Sequence, residues 1–157
     1  MQEKIQADYG QLQNSLHFDC AALSENVSMA RTMVAALIAN CQEAGWDMTI
    51  SDLEEIKVAV SEAVSNAVIH AYPEKLDCLV ETQQVHIQLL QYQKALVVRV
   101  SDDGVGIADI KKAMEPEFTT GEEHLGLGFA FMSSFMDDVQ VESQLGQGTV
   151  VTLIKQI

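Results

Sequence analysis

Basic residues are scarce in this chain. Nine Lys and Arg stand against 23 Asp and Glu, a formal net charge of −14 over 157 residues. A groove for nucleic-acid phosphates needs clustered cations, so direct nucleic-acid binding is excluded as an expectation. Cysteine is also sparse. Cys20, Cys41 and Cys78 are odd in number and far apart, with no CxxC pair. That argues against a zinc knuckle or a disulfide framework and for buried free thiols. No apolar run approaches the length that spans a bilayer. The opening Met1-Gln2-Glu3-Lys4 lacks the basic-then-apolar layout of a signal peptide, so a cytoplasmic protein without membrane contact is expected. HxxxH, GxSxG, a Cys-His signature and the phosphate loop GxxxxGK[ST] are all missing, which removes the common metalloprotease, hydrolase and P-loop readings.

What is present is a globular composition. Hydrophobic residues make up 48%, enough for one sizeable core. Residues 1–14 are polar and Gln-rich and are expected as a flexible N-terminus, followed by a single domain over 15–157. Leu16 and Phe18 alternate with polar neighbours, as in a short strand. Residues 30–44 read as a helix ending near Gly45, with Ser24 or Ser28 as its cap. Ser51, with Glu54 three residues on, reads as a capping box opening a second helix. That helix carries an apolar stripe of Leu53, Ile56, Val60, Ala63, Val64 and Ala67, and Pro73 closes it. Residues 85–89 and 96–100 alternate as two strands of a hairpin. A short helix over 108–115, a loop over 116–125, a helix over 129–136 and two final strands complete an α+β order with a mixed or antiparallel sheet.

Three segments offer chemistry. Glu62 and Asn66 lie one turn apart on one side of the second helix, away from the apolar stripe. A solvated face is the ordinary meaning of such a pair, but Asn is a poor mid-helix residue and Val58 and Ile69 interrupt the polar side. An amide oxygen suits Mg²⁺, and a carboxylate one turn away can act as a base. Asp102-Asp103-Gly104-Val105-Gly106-Ile107 follows a strand. Its glycines permit close backbone approach to a flat ligand, although Asp-Gly is also common in plain turns. Gly126-Leu127-Gly128 opens a helix, where free N–H groups attract phosphate. His70 lies two turns beyond Glu62, and Thr149, just after a glycine turn, can reach a ligand. His17 and His86 fit strand patterns and are expected to be structural.

Read in order, these segments resemble the GHKL ATPase superfamily, which includes histidine-kinase catalytic domains and gyrase B. Glu62 to Asn66 is similar to its N box, and the two glycine segments to its glycine boxes. The likeness is closer to the bacterial anti-sigma serine kinases, above all the anti-sigma F factors of endospore formers. It rests on Ser61–Tyr72, Phe118-Thr119-Thr120, Phe135–Val139 and Val141-Glu142-Ser143, and runs from about Ser24 to Leu153. The resemblance implies a Bergerat two-layer sandwich, a mixed sheet with helices on one face. It implies ATP and Mg²⁺ as cofactors. Glu62 would be the catalytic base, Asn66 the Mg²⁺ ligand and Asp102 the adenine contact. Nucleotide-binding positions would include His70, Gly104, Gly106, Ile107, Thr119, Thr120, Gly126, Leu127, Gly128 and Thr149.

It further implies a loop over 116–125 acting as ATP lid, Arg31 as a partner contact, and a homodimer. The partners would be a sigma factor and an anti-anti-sigma protein phosphorylated on serine. One departure stands out: His124-Leu125 occupies the place of the arginine common before the second glycine box. No Lys or Arg lies between Lys112 and Lys155. Phosphate charge would then fall to Mg²⁺, backbone amides and His124. A non-catalytic, ATP-responsive sigma-sequestering module and a detached histidine-kinase catalytic domain are the alternatives. An α+β domain without nucleotide is a third.

Overall fold

The computed structural model describes residues 2–43, 45–73, 82–115 and 127–157. In chain order the elements are α1 (Gln2–Tyr9), β1 (Leu12–Ala21), α2 (Ser24–Glu43), α3 (Ile50–His70), β2 (Gln84–Tyr92), β3 (Ala95–Asp102), α4 (Ile110–Ala113), α5 (Gly128–Phe135), β4 (Asp138–Ser143) and β5 (Thr149–Gln156). The five strands form one sheet in the order β1-β2-β3-β5-β4. Every pairing in it is antiparallel, so the sheet is not mixed. The reason lies in the last hairpin. β4 runs in the same direction as β3, but β5 is inserted between them and opposes both.

Strand alternation sends neighbouring residues to opposite faces. Leu89, Leu96, Val98 and Leu153 enter a core with Val34 and Ile38 of α2, Ile56, Val60 and Val64 of α3, and Met132 of α5. Cys20 and Cys41 lie in that core as free thiols, and burial pushes Cys41 up to about 11. Cys78 lies outside the described residues. Leu90, Val97 and Ile154 face the other way and meet Ile5 and Tyr9 of α1. Helices therefore do not all lie on one face. The expected flexible start is a helix here, because Ile5 and Tyr9, four apart, share the side that covers the sheet.

The start of α3 also differs from expectation. Thr49, not Ser51, is the N-cap, and Asp52 takes the place expected for Glu54. The Asp52 amide donates to Thr49 Oγ1 at 3.1 Å, and Asp52 Oδ2 accepts from the Thr49 amide at 2.9 Å. Glu54 instead meets Lys57 Nζ at 2.6 Å. The apolar stripe is borne out, with Ile56, Ala59, Val60, Ala63, Val64, Ala67 and Val68 buried.

Candidate nucleotide site

A cavity of about 880 Å³ opens between α3, the sheet, the loop after β3 and the start of α5. Glu62, Asn66, Ile69 and His70 of α3 form one wall. Val100, Asp102, Thr149 and Val151 form the floor. They fall on one face because β3 and β5 pair Asp102 with Thr149 and Val100 with Val151. Gly106, Ile107, Asp109 and Lys112 make the second wall, and Leu127, Gly128, Phe129 and Phe131 the third.

Asp102 ends β3 and is only 7% exposed. Its Oδ1 accepts the Gly104 amide at 2.9 Å. Burial pushes its carboxyl above the ordinary range; the Asp103 charge adds to this, while backbone amides of Gly104 and Thr149 and the nearby His86 oppose it. An apolar floor with one buried acceptor suits a flat, hydrogen-bonding ring.

The loop beyond Asp102 is held by specific contacts. The Val105 amide donates to the Ala71 carbonyl at 2.9 Å. A Cβ on Gly104 would collide with that same carbonyl, so Gly104 lets the loop lie against the end of α3 and stands outside the cavity lining. Gly106 has φ 72°, a left-handed conformation that disfavours side chains. The Ser143 hydroxyl accepts the Ile107 amide at 2.8 Å and donates to the Gly148 carbonyl at 2.9 Å. The Thr149 hydroxyl lies 2.9 Å from it, which fills its remaining acceptor capacity.

The decisive convergence is at α5. A Cβ built on Gly128 would lie 3.1 Å from Glu62 Oε2 and 3.4 Å from the Asn66 amide atoms. The side chains predicted for base and metal ligand therefore face the first turn of α5. Leu127, the N-cap, makes no side-chain cap bond, so among the described residues no capping side chain competes with a ligand or solvent for the helix-start amides. Among the described residues no group of three or more His, Cys, Asp or Glu could hold a metal. One amide oxygen beside one carboxylate fits Mg²⁺ that takes its other oxygens from phosphates and water.

Glu62, Asn66, His70, Asp102, Gly106, Ile107, Leu127, Gly128 and Thr149 thus line one cavity. Arg31 is exposed on α2 and is not in that lining. Thr119, Thr120, His124 and Gly126, with the expected lid, lie outside the described residues. Sequence reasoning missed Lys112, Phe129 and Phe131 on the walls and Ser143 behind the loop. Val100 and Val151 could have been found, since strand alternation places them beside Asp102 and Thr149.

Comparison with known proteins bears on the family and the fold. Residues 20–155 match the model of the histidine kinase-like ATPase domain. The anti-sigma F factor of Bacillus subtilis is 38% identical over 148 residues, covering 93% of this chain and 94% of the relative. The anti-sigma F factor of Geobacillus thermodenitrificans is 43% identical with the same coverage. The solved catalytic domain of the histidine kinase ThkA, in a nucleotide-free form, superposes with a TM-score of 0.54 at 17% identity, over 92% of this chain and 96% of that one. That last likeness bears on the fold alone. The family-model match over residues 20–155 and the near-full-length similarity to anti-sigma F factors together place this chain in the histidine kinase-like ATPase family.

Proposed function

We propose that this chain is a cytoplasmic anti-sigma factor that binds a sigma factor and uses Mg-ATP to phosphorylate a serine of an anti-anti-sigma protein. The observation that carries the reading is the meeting of Glu62, Asn66 and the uncapped start of α5 at one cavity. Asp102 accepts a hydrogen bond from the adenine amino group, and Val100 and Val151 lie beneath the ring. The amides at the start of α5 receive the phosphates. Asn66 holds Mg²⁺, which when bound neutralises phosphate oxygens. Glu62 takes the proton from the incoming serine hydroxyl as that oxygen bonds to the γ-phosphorus and the bond to the β–γ bridging oxygen breaks, releasing ADP. Arg31 on α2 contacts a protein partner, and the working unit is a homodimer.

The test is a single-turnover assay with labelled ATP and candidate anti-anti-sigma proteins. Glu62→Gln is expected to lose roughly 10²- to 10⁴-fold in transfer while ATP affinity stays close to wild type. Unchanged transfer would remove Glu62 as the base. The non-catalytic sequestering reading is favoured by one observation, the lack of Lys and Arg between Lys112 and Lys155. It predicts ATP-dependent sigma binding with no labelled protein product.

A further inference from the structure

One side chain ties the sheet edge to the nucleotide loop. His86, on β2, places Nδ1 2.8 Å from Asp19 Oδ1 on β1 and Nε2 3.0 Å from Asp103 Oδ2. A neutral imidazole has one N–H and one lone pair, whereas an ionised carboxylate only accepts. Both contacts can be hydrogen bonds together only when both ring nitrogens carry protons. Asp103 sits between Asp102 and Gly104, the residues joined by the bond at the cavity floor. Its amide donates to the Tyr72 hydroxyl at 3.1 Å, and that hydroxyl donates to the Gln84 carbonyl at 2.7 Å. His86 itself is outside the cavity lining, so it acts through Asp103.

We propose that His86 is a positioning residue for the nucleotide loop. As an imidazolium it clamps Asp103 to Asp19 and holds the Asp102–Gly104 turn in the shape that receives adenine. Loss of the proton releases one carboxylate and weakens nucleotide binding. The inference rests on the nucleotide-site reading above, and strand-pattern reasoning alone gives His86 only a structural place.

The surroundings support it. Burial works against the charged ring, but the bonds to Asp19 and Asp103 and their negative charges outweigh it, and the His86 pKa lies above its ordinary value. The groups that face it are Asp19 on β1, Asp103 in the loop, and Asp102, whose carboxylate its charge favours. Tyr72, bonded to the Asp103 amide, has its phenol raised, chiefly by burial, and stays neutral through this range. A histidine raised on folding contributes in full below its ordinary pKa of about 6.5, and the contribution fades as pH climbs through the raised value. Side-chain exposures of 62% for Asp19 and 77% for Asp103 limit the size of the effect. The expected change is about two- to fivefold.

The experiment follows ADP affinity by calorimetry in saturating Mg²⁺ from about pH 6 to about pH 8, where histidine titrates. Wild type should lose about two- to fivefold more affinity across that range than His86→Gln, which sits at the weak end throughout. The ADP phosphates titrate equally in both proteins and cancel. In nucleotide-free wild type, the Gly104 amide resonance should shift with the same midpoint as the His86 ring. Superimposable pH profiles, or a Gly104 amide blind to the His86 midpoint, would overturn the clamp. If ADP fails to bind at any pH, the nucleotide reading falls, and the Gly104 titration still decides the clamp. That arm needs no variant to fold.

Discussion

Among the described residues the cavity lining includes three acidic residues, Glu62, Asp102 and Asp109, and one basic residue, Lys112. A triphosphate entering such a site needs compensating charge. Lys112 is exposed on α4, whose start is fixed by Asp109 Oδ1 accepting the Lys112 amide at 3.1 Å. Lys112→Ala is therefore expected to weaken ATP about three- to tenfold and adenosine less than about twofold, a contrast that competition binding reads directly. Equal losses for both ligands would assign the lysine to ribose or to loop packing instead. Glu62, Asn66 and Asp102 were legible from the sequence because each departs from its background: a mid-helix asparagine one turn from a carboxylate, and an acid closing an apolar strand. Lys112 was not, since a solvated helix lysine carries no pattern. Ser143 was hidden for a different reason: its hydroxyl matters through the Ile107 amide 36 residues away.

The helix that carries Glu62 and Asn66, α3, opens on a side-chain cap. Thr49 and Asp52 exchange both capping-box bonds. Thr49→Ala should cost about 1 kcal/mol by urea denaturation. The Thr49 side-chain and backbone bonds hold the Asp52 carboxyl below its usual range, with Lys155 nearby adding to the effect. A carboxylate lowered on folding contributes above its ordinary pKa, and that contribution is lost as pH falls through the depressed value. The stability gap between wild type and Asp52→Asn should accordingly narrow in acid below about pH 4. A gap that stays constant down to acid denaturation would contradict the cap's role. Further along, Lys155 Nζ reaches Glu55 Oε2 at 3.0 Å and the Phe135 carbonyl at 2.9 Å, tying α3, β5 and the end of α5 into one frame. Element type was readable from apolar spacing for β1, α3, β2 and β3, and from apolar composition for α2. The capping residue was displaced by two because Thr49 and Ser51 are both good caps, and only the chain's path selects between them. α1 was missed since Ile5, Ala7 and Tyr9 among eight residues make no clear helical period until a sheet lies beneath Ile5 and Tyr9.

For the whole molecule, a ligand that binds only the folded chain raises its stability by mass action. Mg-ATP at 100 times its dissociation constant should add about 2.7 kcal/mol, read as an upward thermal shift. Asn66→Ala should lose the part of that shift that depends on Mg²⁺. No shift with any nucleotide would leave an α+β domain with an unused cavity. Strand order was the least legible feature at this scale. Periodicity reports which residues are strands and which face is apolar, but says nothing about β5 slipping between β3 and β4.

That insertion has a consequence during synthesis. The cavity floor is written in two places, Asp102 at the end of β3 and Thr149 at the start of β5, which face each other only after the 46 intervening residues have been made. A nascent chain that has finished α3 and the glycine loop holds Glu62, Asn66 and Asp102 yet lacks the strand that completes the floor. Until β5 arrives, β3 presents an open edge and β4 has no partner in the sheet. The last described strand to emerge is therefore also the one that closes the sheet and completes the cavity floor. Such long-range pairing slows folding.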